Sequence, residues 1–401
     1  MPSLTLPRQF LRNCRRVGRR LKVADSMGTE MTGKQLLLRT LGLRRLLLRY
    51  VLSADEQYVG LLLPPSAAAV VANAALPLAK RIAVNLNYTM SPELINYCIA
   101  QCGIRHVLTS RRVMEKLKLN LQAEMVYLED FREKLGIVDQ AAAFLQSILP
   151  VRLLERQLGI DRVRDDDLLT VLFTSGSTGQ PKGVMLSHRN VASQIEAIQA
   201  AVHLNEGDVA IGVMPFFHSY GYTATLWTVL CLTPMGAYHI DPRDAHQVGN
   251  LCAKYGVTVF MATPTFLRIY LRRVQADEFR TLDSVFGAAE KLPKELADTF
   301  EKKFGVRPYE AYGCTELSPL VAVNVPPHRN RNSAVPTACE GSVGKPIPGV
   351  RAKVVHPETG ADLPNGEAGM LLVTGPNVMK GYLKMPDLTA NVIRDGWYVT
   401  G

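Results

Sequence analysis

Cysteine is sparse in this chain, and its spacing supports neither a disulfide framework nor a zinc site. Seven cysteines are scattered over 401 residues, an odd number. Cys98 and Cys102 stand four residues apart and could share a helix face, but no second pair completes a tetrahedral zinc site. We therefore expect free, reduced thiols in a cytoplasmic protein.

Long uninterrupted apolar runs are also missing. The uncharged stretch 58–79 contains three prolines and Asn73, and the stretch 218–240 contains four threonines, a proline and a histidine. Both are expected to form buried strands and helices, not membrane spans. The N-terminus shows no secretory signal, because arginines begin at Arg8 and no apolar segment follows. Internal repeats and low-complexity segments are absent as well.

Net charge is absent from most of the chain and concentrated at one end. Residues 1–50 hold twelve Lys/Arg and two Asp/Glu, whereas the other 351 residues hold 34 of each sign. This basic segment could contact an anionic membrane or an acidic carrier protein. Alternatively, it is the solvated side of a surface helix. Residues 34–52 favour that alternative, because their leucines fall on one broad face and Lys34, Arg39, Arg45 and Arg49 on the other.

Short apolar runs alternate with helical patterns along the chain, which is typical of parallel sheets covered by helices. With 47% hydrophobic and 20% charged residues, a chain of this length is expected to fold into two or three packed units. After about residue 335, crowded turn signals between short apolar runs indicate a small β unit. The predicted strands are 58–63, 82–86, 105–109, 168–173, 208–214, 257–262, 283–288, 351–355 and 369–374; the predicted helices are 91–102, 189–201, 243–255 and 292–303.

The segment 174–183, TSGSTGQPKG, is the most informative one. It follows the apolar run 168–173 and combines four hydroxyl side chains, three glycines and Lys182. Glycines let backbone N–H groups approach an anion closely, and a lysine adds a mobile charge suited to phosphate. A Walker A loop does not fit, because Pro181 precedes Lys182 and Gly183 follows where a Ser or Thr would hold Mg²⁺. A flexible linker is a poor alternative directly behind a buried strand. The segment predicts a polyphosphate site.

Further segments follow in a fixed order. They are 215–221 (PFFHSYG), 287–290 (GAAE), 312–316 (YGCTE), 341–349 (GSVGKPIPG) and 397–401 (WYVTG). Together with 174–183 they resemble the signature motifs of the adenylate-forming superfamily, which includes acyl-CoA synthetases, luciferases and nonribosomal-peptide adenylation domains. Residues 1–170 agree more loosely, through 59–64 and 85–89.

The resemblance implies an α/β fold, that of the large N-terminal domain of these enzymes. Two sheet–helix subdomains would span 1–170 and 171–335, and a small β subdomain would span 336–401. In the family an aspartate that holds the ribose hydroxyls follows the last motif, and a smaller C-terminal domain then supplies a catalytic lysine. Because this chain stops at Gly401, the resemblance implies a fragment of a longer enzyme with little activity of its own.

The resemblance also implies ATP and Mg²⁺ as cofactors and assigns roles to individual residues. Glu316 would bind Mg²⁺, Thr315 would contact the α-phosphate, His218 would border the acyl carboxylate, and Lys182 would serve the polyphosphate. The nucleotide-binding set is Thr174, Ser175, Gly176, Ser177, Thr178, Gly179, Lys182, Gly287, Ala288, Ala289, Glu290, Tyr312, Gly313 and Thr315.

The substrate can be narrowed from the residues after His218. Amino-acid-activating relatives usually carry an aspartate there for the substrate ammonium, and residues 219–223 contain no acid. An unpaired buried ammonium is costly, so an amino-acid substrate is disfavoured. The resemblance implies a long-chain fatty acid. The apolar stretches 220–240, with Leu226, Trp227, Val229 and Leu230, and 258–267 could line its tunnel or could simply be core.

Residues 312–326 are most similar to the acyl-acyl-carrier-protein synthetase branch. The acceptor thiol would belong to acyl carrier protein or to coenzyme A, and no nucleic acid is expected as a partner. The alternatives are an aryl-acid ligase of the same superfamily and a non-catalytic module that binds nucleotide or acyl-AMP.

Overall fold

The structure, a computed structural model, describes residues 4–134, 136–174, 179–330 and 338–400. Within them the strands form three sheets, and helices cover the two larger ones. The strands in chain order are β1 Leu21–Asp25, β2 Glu30–Thr32, β3 Tyr58–Leu61, β4 Ile82–Asn85, β5 His106–Thr109, β6 Glu124–Tyr127, β7 Leu168–Thr174, β8 Lys182–Ser187, β9 Val209–Gly212, β10 Met235–Tyr238, β11 Val259–Ala262, β12 Ser284–Gly287, β13 Pro308–Gly313, β14 Leu320–Val323, β15 Lys345–Pro346, β16 Arg351–Val355, β17 Met370–Thr374, β18 Gly381–Tyr382, β19 Ile393–Arg394 and β20 Trp397–Val399.

The helices include a π-helix, Tyr220–Trp227, and short 3₁₀ turns at Ile160–Arg162, Ala276–Phe279, Thr315–Leu317 and Pro327–Arg329. The α-helices are α1 Leu6–Val17, α2 Gly33–Tyr50, α3 Ala67–Leu78, α4 Pro92–Cys102, α5 Arg111–Leu117, α6 Asp130–Lys134, α7 Ile137–Ile148, α8 Val151–Leu158, α9 His188–Val202, α10 Thr228–Cys231, α11 Ala245–Tyr255, α12 Pro264–Arg273, α13 Lys294–Phe304 and α14 Pro386–Val392. Every strand and helix that the sequence predicts is present, with ends that differ by a few residues.

Sheet I has the order β15-β14-β13-β12-β11-β9-β10-β1-β2, and its six central strands, from β13 to β1, are parallel. Sheet II has the order β18-β8-β7-β4-β3-β5-β6, and sheet III is antiparallel, β16-β17-β20-β19. This confirms the predicted α/β fold. The sheets cross the predicted segment boundaries, because β1 joins strands from 209–323 and β18 joins β8. That the segments 1–170, 171–335 and 336–401 form separate subdomains remains a prediction.

The stretch 58–79 forms β3 and α3, and α3 is buried on nearly all sides. Eleven of its twelve residues are buried, which explains its lack of charged residues. It packs against β3 and β4 of sheet II and against β1 of sheet I, so it lies between the two sheets. Helix α2 begins with a capping box at Thr32 and buries five of its eight leucines, which agrees with the surface-helix alternative. No helix in the described ranges is both long and apolar enough to cross a bilayer.

The buried His188 makes the stability of the fold dependent on pH. It begins α9, its Nδ1 has no hydrogen-bond partner within the described residues, and burial lowers its pKa to about 4. A histidine whose pKa is lower in the folded state than in the unfolded state stabilises the fold at pH values above the unfolded-state pKa of about 6.5. That contribution is lost as the pH falls from about 6.5 towards 4, by about 3 kcal/mol in total.

We expect His188→Gln to reduce the change in the free energy of unfolding between pH values of about 6.5 and 4. Urea unfolding of the wild type and the variant between pH 7 and roughly pH 4 would measure the difference. His356→Gln is the matched control, because His356 lies in an exposed turn of sheet III, where its Nδ1 accepts N–H bonds from Glu358 and Thr359. Parallel profiles for wild type and His188→Gln would contradict the prediction.

Candidate active site

One cavity of about 470 Å³ lies at the carboxyl ends of the strands of sheet I and reaches Thr174 at the end of β7 and Lys182 at the start of β8. Ligands of parallel sheets usually bind at this edge, because successive loops leave the sheet there. The predicted site residues on the wall of the cavity are Thr174, Lys182, His218, Ala288, Ala289, Tyr312, Gly313, Thr315 and Glu316. Four segments that lie far apart in the sequence are thus brought together.

The predicted phosphate loop is anchored by antiparallel pairing. Thr174 at the end of β7 is the register partner of Lys182 at the start of β8, so the turn between them begins and ends at the cavity. Gly179 has a φ of +83°, a left-handed conformation that suits glycine. Ser175, Gly176, Ser177 and Thr178 lie outside the described residues.

The 312–316 segment needs its glycine for a close backbone approach. A Cβ on Gly313 would stand 1.8 Å from the Pro319 oxygen, which also accepts an N–H bond of 3.0 Å from Cys314. This turn directs Thr315 and Glu316 into the cavity. The Thr315 hydroxyl lies 3.2 Å from the Ser219 hydroxyl, which connects this segment to the aromatic–histidine motif.

The 287–290 segment divides into two parts. Ala288 and Ala289 line the cavity, and Ala289 has a φ of +69°, a strained conformation that is often found at functional sites. Glu290 points elsewhere, because its carboxylate accepts bonds of 3.2 and 2.7 Å from the backbone N–H and the hydroxyl of Thr265 in the first turn of α12. Gly287 is the last residue of β12 and is not part of the cavity wall.

His218 is held as a neutral side chain at the cavity wall. Burial lowers its pKa, and its Nδ1 accepts an N–H bond of 3.3 Å from Tyr220. The proton of the neutral ring is therefore on Nε2. The ring cluster around it is ordered by Tyr88, which packs edge-on against Phe217 with centroids 4.9 Å apart.

The apolar wall of the cavity uses only parts of the two stretches that the sequence offered as tunnel or core. Leu226, Trp227, Val229 and Leu230 are fully buried core. The apolar wall comes instead from the end of α9, the π-helix and the strands of sheet I; it consists of Ile198, Val202, Leu204, Ala224, Val259, Met261, Phe286, Ala311, Leu320 and Val323. The 220–240 stretch thus contributes Tyr220 and Ala224 to the cavity, and the 258–267 stretch contributes Val259 and Met261.

The wider turns of the π-helix are supported by side-chain hydrogen bonds. The hydroxyls of Thr225 and Thr228 donate to the carbonyls of Gly221 and Thr223, at 2.8 and 2.9 Å. The Tyr238 hydroxyl donates to the Thr225 carbonyl at 2.8 Å. These contacts satisfy backbone groups that an irregular helix leaves free, and they account for two of the four threonines of the 218–240 stretch.

Tyr382 contacts two of the predicted site residues, which the sequence did not reveal. Its hydroxyl donates to the Glu316 carboxylate at 2.8 Å, and the Lys182 Nζ lies 5.5 Å from the centre of its ring. Burial and the Glu316 charge raise its pKa, so the phenol stays protonated as the donor. It thereby positions both charged groups at once. The only available signal was its place at the end of the glycine-containing segment 375–382.

Mg²⁺ fits these residues. Glu316 supplies a single carboxylate at the cavity wall beside the Thr315 hydroxyl, and the described residues contain no cluster of three or more metal-binding side chains. Mg²⁺ usually takes one or two protein carboxylates and completes its coordination with phosphate oxygens and water. Glu316 would therefore hold the ion together with a bound polyphosphate.

Tyr382→Phe is expected to raise the Mg²⁺ concentration that ATP binding requires by about tenfold, because the Glu316 carboxylate loses the hydrogen bond that orients it. The substituted ring keeps its contact with Lys182, so ATP binding without Mg²⁺ should change little. Calorimetric ATP titrations at a series of Mg²⁺ concentrations would measure the shift. Tyr309→Phe, a half-buried tyrosine of β13 outside the cavity wall, is the control. An unchanged Mg²⁺ dependence would remove Tyr382 from this role.

The chain resembles known proteins in sequence and in structure. A family model described as AMP-binding enzyme matches residues 10–383. A long-chain-fatty-acid–CoA ligase of Bacillus subtilis is 33% identical over 247 residues, which is 59% of this chain and 41% of that protein. A 4-coumarate–CoA ligase of Solanum tuberosum is 30% identical over 257 residues, 62% of this chain and 46% of that protein. The matched part thus spans less than half the length of these relatives.

The crystal structure of ATP-bound MatB from Rhodopseudomonas palustris superimposes with a TM-score of 0.78 at 26% identity, and the match covers 98% of this chain and 75% of MatB. The structural match and the sequence matches therefore indicate the same group of relatives. Because the family match spans most of the chain and contains every segment that lines the cavity, the chain belongs to the AMP-binding enzyme family.

Proposed function

We propose that this chain is the acid-activating part of an enzyme that uses ATP to convert a long-chain fatty acid to acyl-AMP. The single observation that supports this most is the composition of the cavity. Its polar wall includes Lys182, Thr315 and Glu316, its apolar wall consists of side chains from α9, the π-helix and sheet I, and His218 lines the same cavity. One cavity thus offers room for a polyphosphate and for an apolar tail.

In the proposed reaction a carboxylate oxygen of the acid attacks the α-phosphorus of ATP, and pyrophosphate leaves with the electron pair of the broken bond. Lys182 and the donors of the phosphate loop compensate charge on the polyphosphate, and the Thr315 and Ser219 hydroxyls offer donors beside it. Bound Mg²⁺ supplies charge neutralisation at the phosphates. Neutral His218 borders the acyl carboxylate. It adds no positive charge that would stabilise the carboxylate before the attack.

The acyl group would then pass to a phosphopantetheine thiol, of acyl carrier protein or of coenzyme A. The thiol sulfur attacks the acyl carbon, and AMP leaves with the electron pair of the anhydride bond. The names of the relatives favour coenzyme A, since they are CoA ligases of fatty and 4-coumaric acids. The residues of 312–326 favour a carrier protein. The basic segment 1–50 is proposed to meet an acidic carrier or the inner face of a membrane.

Pyrophosphate release with a panel of acids tests the proposal. Fatty acids of increasing length, 4-coumaric acid, and leucine or phenylalanine would be supplied with Mg·ATP, followed by carrier protein or coenzyme A. Release with long fatty acids and not with amino acids is the expected result. Preferential release with 4-coumaric acid would favour the aryl-acid ligase, and nucleotide binding without release from any acid would favour a binding module.

A further inference from the structure

Helix α7 has an apolar face that points away from the protein. Phe144, Leu145 and Ile148 are 54%, 60% and 56% exposed, and Ile137 and Val138 are more exposed still. Their spacing of three, four and seven residues places them on one side of the helix. Six of the nine large hydrophobic side chains that are exposed in the described residues lie on α7 or α8, the sixth being Leu153. Clusters of this kind usually mark an interaction site.

The acidic groups of α7 and α8 face inward. Asp139 accepts bonds from Arg45 and Arg49 of α2 at 2.6 and 3.1 Å, and its side chain is 3% exposed. In the same way, α8 turns its one carboxylate, that of Glu155, towards α1. Arg8 and Arg12 lie 3.0 and 2.9 Å from it, and it too is 3% exposed. The paired arginines remain partly open to solvent, between 25% and 51%.

The surface that results is strongly basic. Arg152 and Arg156 of α8 are exposed, and Arg15 donates to the Leu149 carbonyl between the two helices. We define the α7–α8 surface as residues 137–158 together with the arginines that contact them, Arg8, Arg12, Arg15, Arg45 and Arg49. It carries seven arginines and two acids, a net charge of +5. Five of the twelve basic residues of 1–50 are therefore gathered at the inner side of α7 and α8.

The charge decides between possible occupants of this surface. A second copy of the chain would bring two surfaces of +5 together and would be repelled at the rim. An anionic bilayer satisfies both features, because apolar side chains can enter the headgroup–acyl boundary while arginines contact phosphates. We infer that the α7–α8 surface docks on an anionic lipid membrane, with α7 lying in the plane of the interface. This inference goes beyond the contact proposed for residues 1–50, since the inserted helix lies outside that segment, and it does not require the acid-activating function.

Co-sedimentation with vesicles tests the inference. Vesicles of phosphatidylcholine alone would be compared with vesicles of phosphatidylcholine and phosphatidylglycerol in equal parts. The variants are the triple Phe144→Ser, Leu145→Ser, Ile148→Ser, and the double Arg152→Gln, Arg156→Gln; all five side chains are exposed, so the fold should persist. Met27→Ser, an exposed hydrophobic residue outside this surface, is the control.

The wild type and the control should bind only the anionic vesicles, and binding should weaken as salt is added. The triple variant should lose about tenfold or more in affinity, and the arginine variant about fivefold per arginine. ATP affinity should be the same in all of them, so a failure of the nucleotide site would be seen separately. Undiminished vesicle binding by the triple variant would overturn the inference. So would a concentration-dependent dimer of the wild type that the triple variant abolishes.

Discussion

Replacing Lys182 or Glu316 is expected to weaken Mg·ATP binding by about tenfold to a hundredfold, the range of one lost charge-assisted contact. Both side chains line the cavity and both contact Tyr382, so both are expected to act on the same polyphosphate. Acyl-AMP formation should fall further, by roughly a hundredfold to a thousandfold, because charge develops on the phosphates as the bond breaks. Lys182→Ala and Glu316→Gln are the variants of choice.

Glu316→Gln has an advantage over alanine, because the amide oxygen still accepts the Tyr382 hydroxyl while the negative charge is removed. Lys302→Ala and Glu295→Ala are matched controls, since both residues are exposed on α13. Calorimetry with Mg·ATP, with thermal unfolding measured in parallel, separates a binding defect from an unfolded protein. Unchanged ATP affinity in both site variants would refute the assignment of Lys182 and Glu316.

Filling the apolar wall should change which acid is activated. Ala224 on the π-helix is one of the small side chains that line the cavity. Ala224→Phe is expected to reduce activity with long fatty acids by about a hundredfold, because each displaced methylene costs roughly 1–3 kcal/mol of selectivity. Short acids, which need less of the wall, should be affected far less, and ATP affinity should not change.

The measurement is kcat/KM for pyrophosphate release with acids of increasing chain length. Ala200→Phe adds the same group on the exposed side of α9 and is the control. A uniform loss with all acids would indicate a general packing defect. An unchanged profile would show that the acid binds elsewhere, and that the apolar wall near Ala224 is only core.

Local patterns determined the secondary structure and the identity of the polar site residues. The apolar runs 168–173 and 283–288 became β7 and β12 because a buried strand needs little beyond its own hydrophobicity. Glycine spacing likewise marked 174–183 and 312–316, since the backbone conformation they require is local. Glu290 is the exception: its motif was visible, but its carboxylate is held by Thr265 of a neighbouring helix.

Tertiary structure alone decided the contacts between distant segments and the side of each helix that meets solvent. The Tyr382–Glu316 hydrogen bond joins residues 66 positions apart, and the apolar wall is made by α9, Ala224 and sheet I, whereas Trp227 is buried in the core. Periodicity likewise shows that α7 has an apolar face, but not whether another element covers it. The sequence by itself therefore determined the predicted helices and strands and the candidates for a polar site. Packing decided the apolar wall of the cavity, the partner of Glu316 and the exposed apolar face of α7, because burial depends on elements that come from elsewhere in the chain.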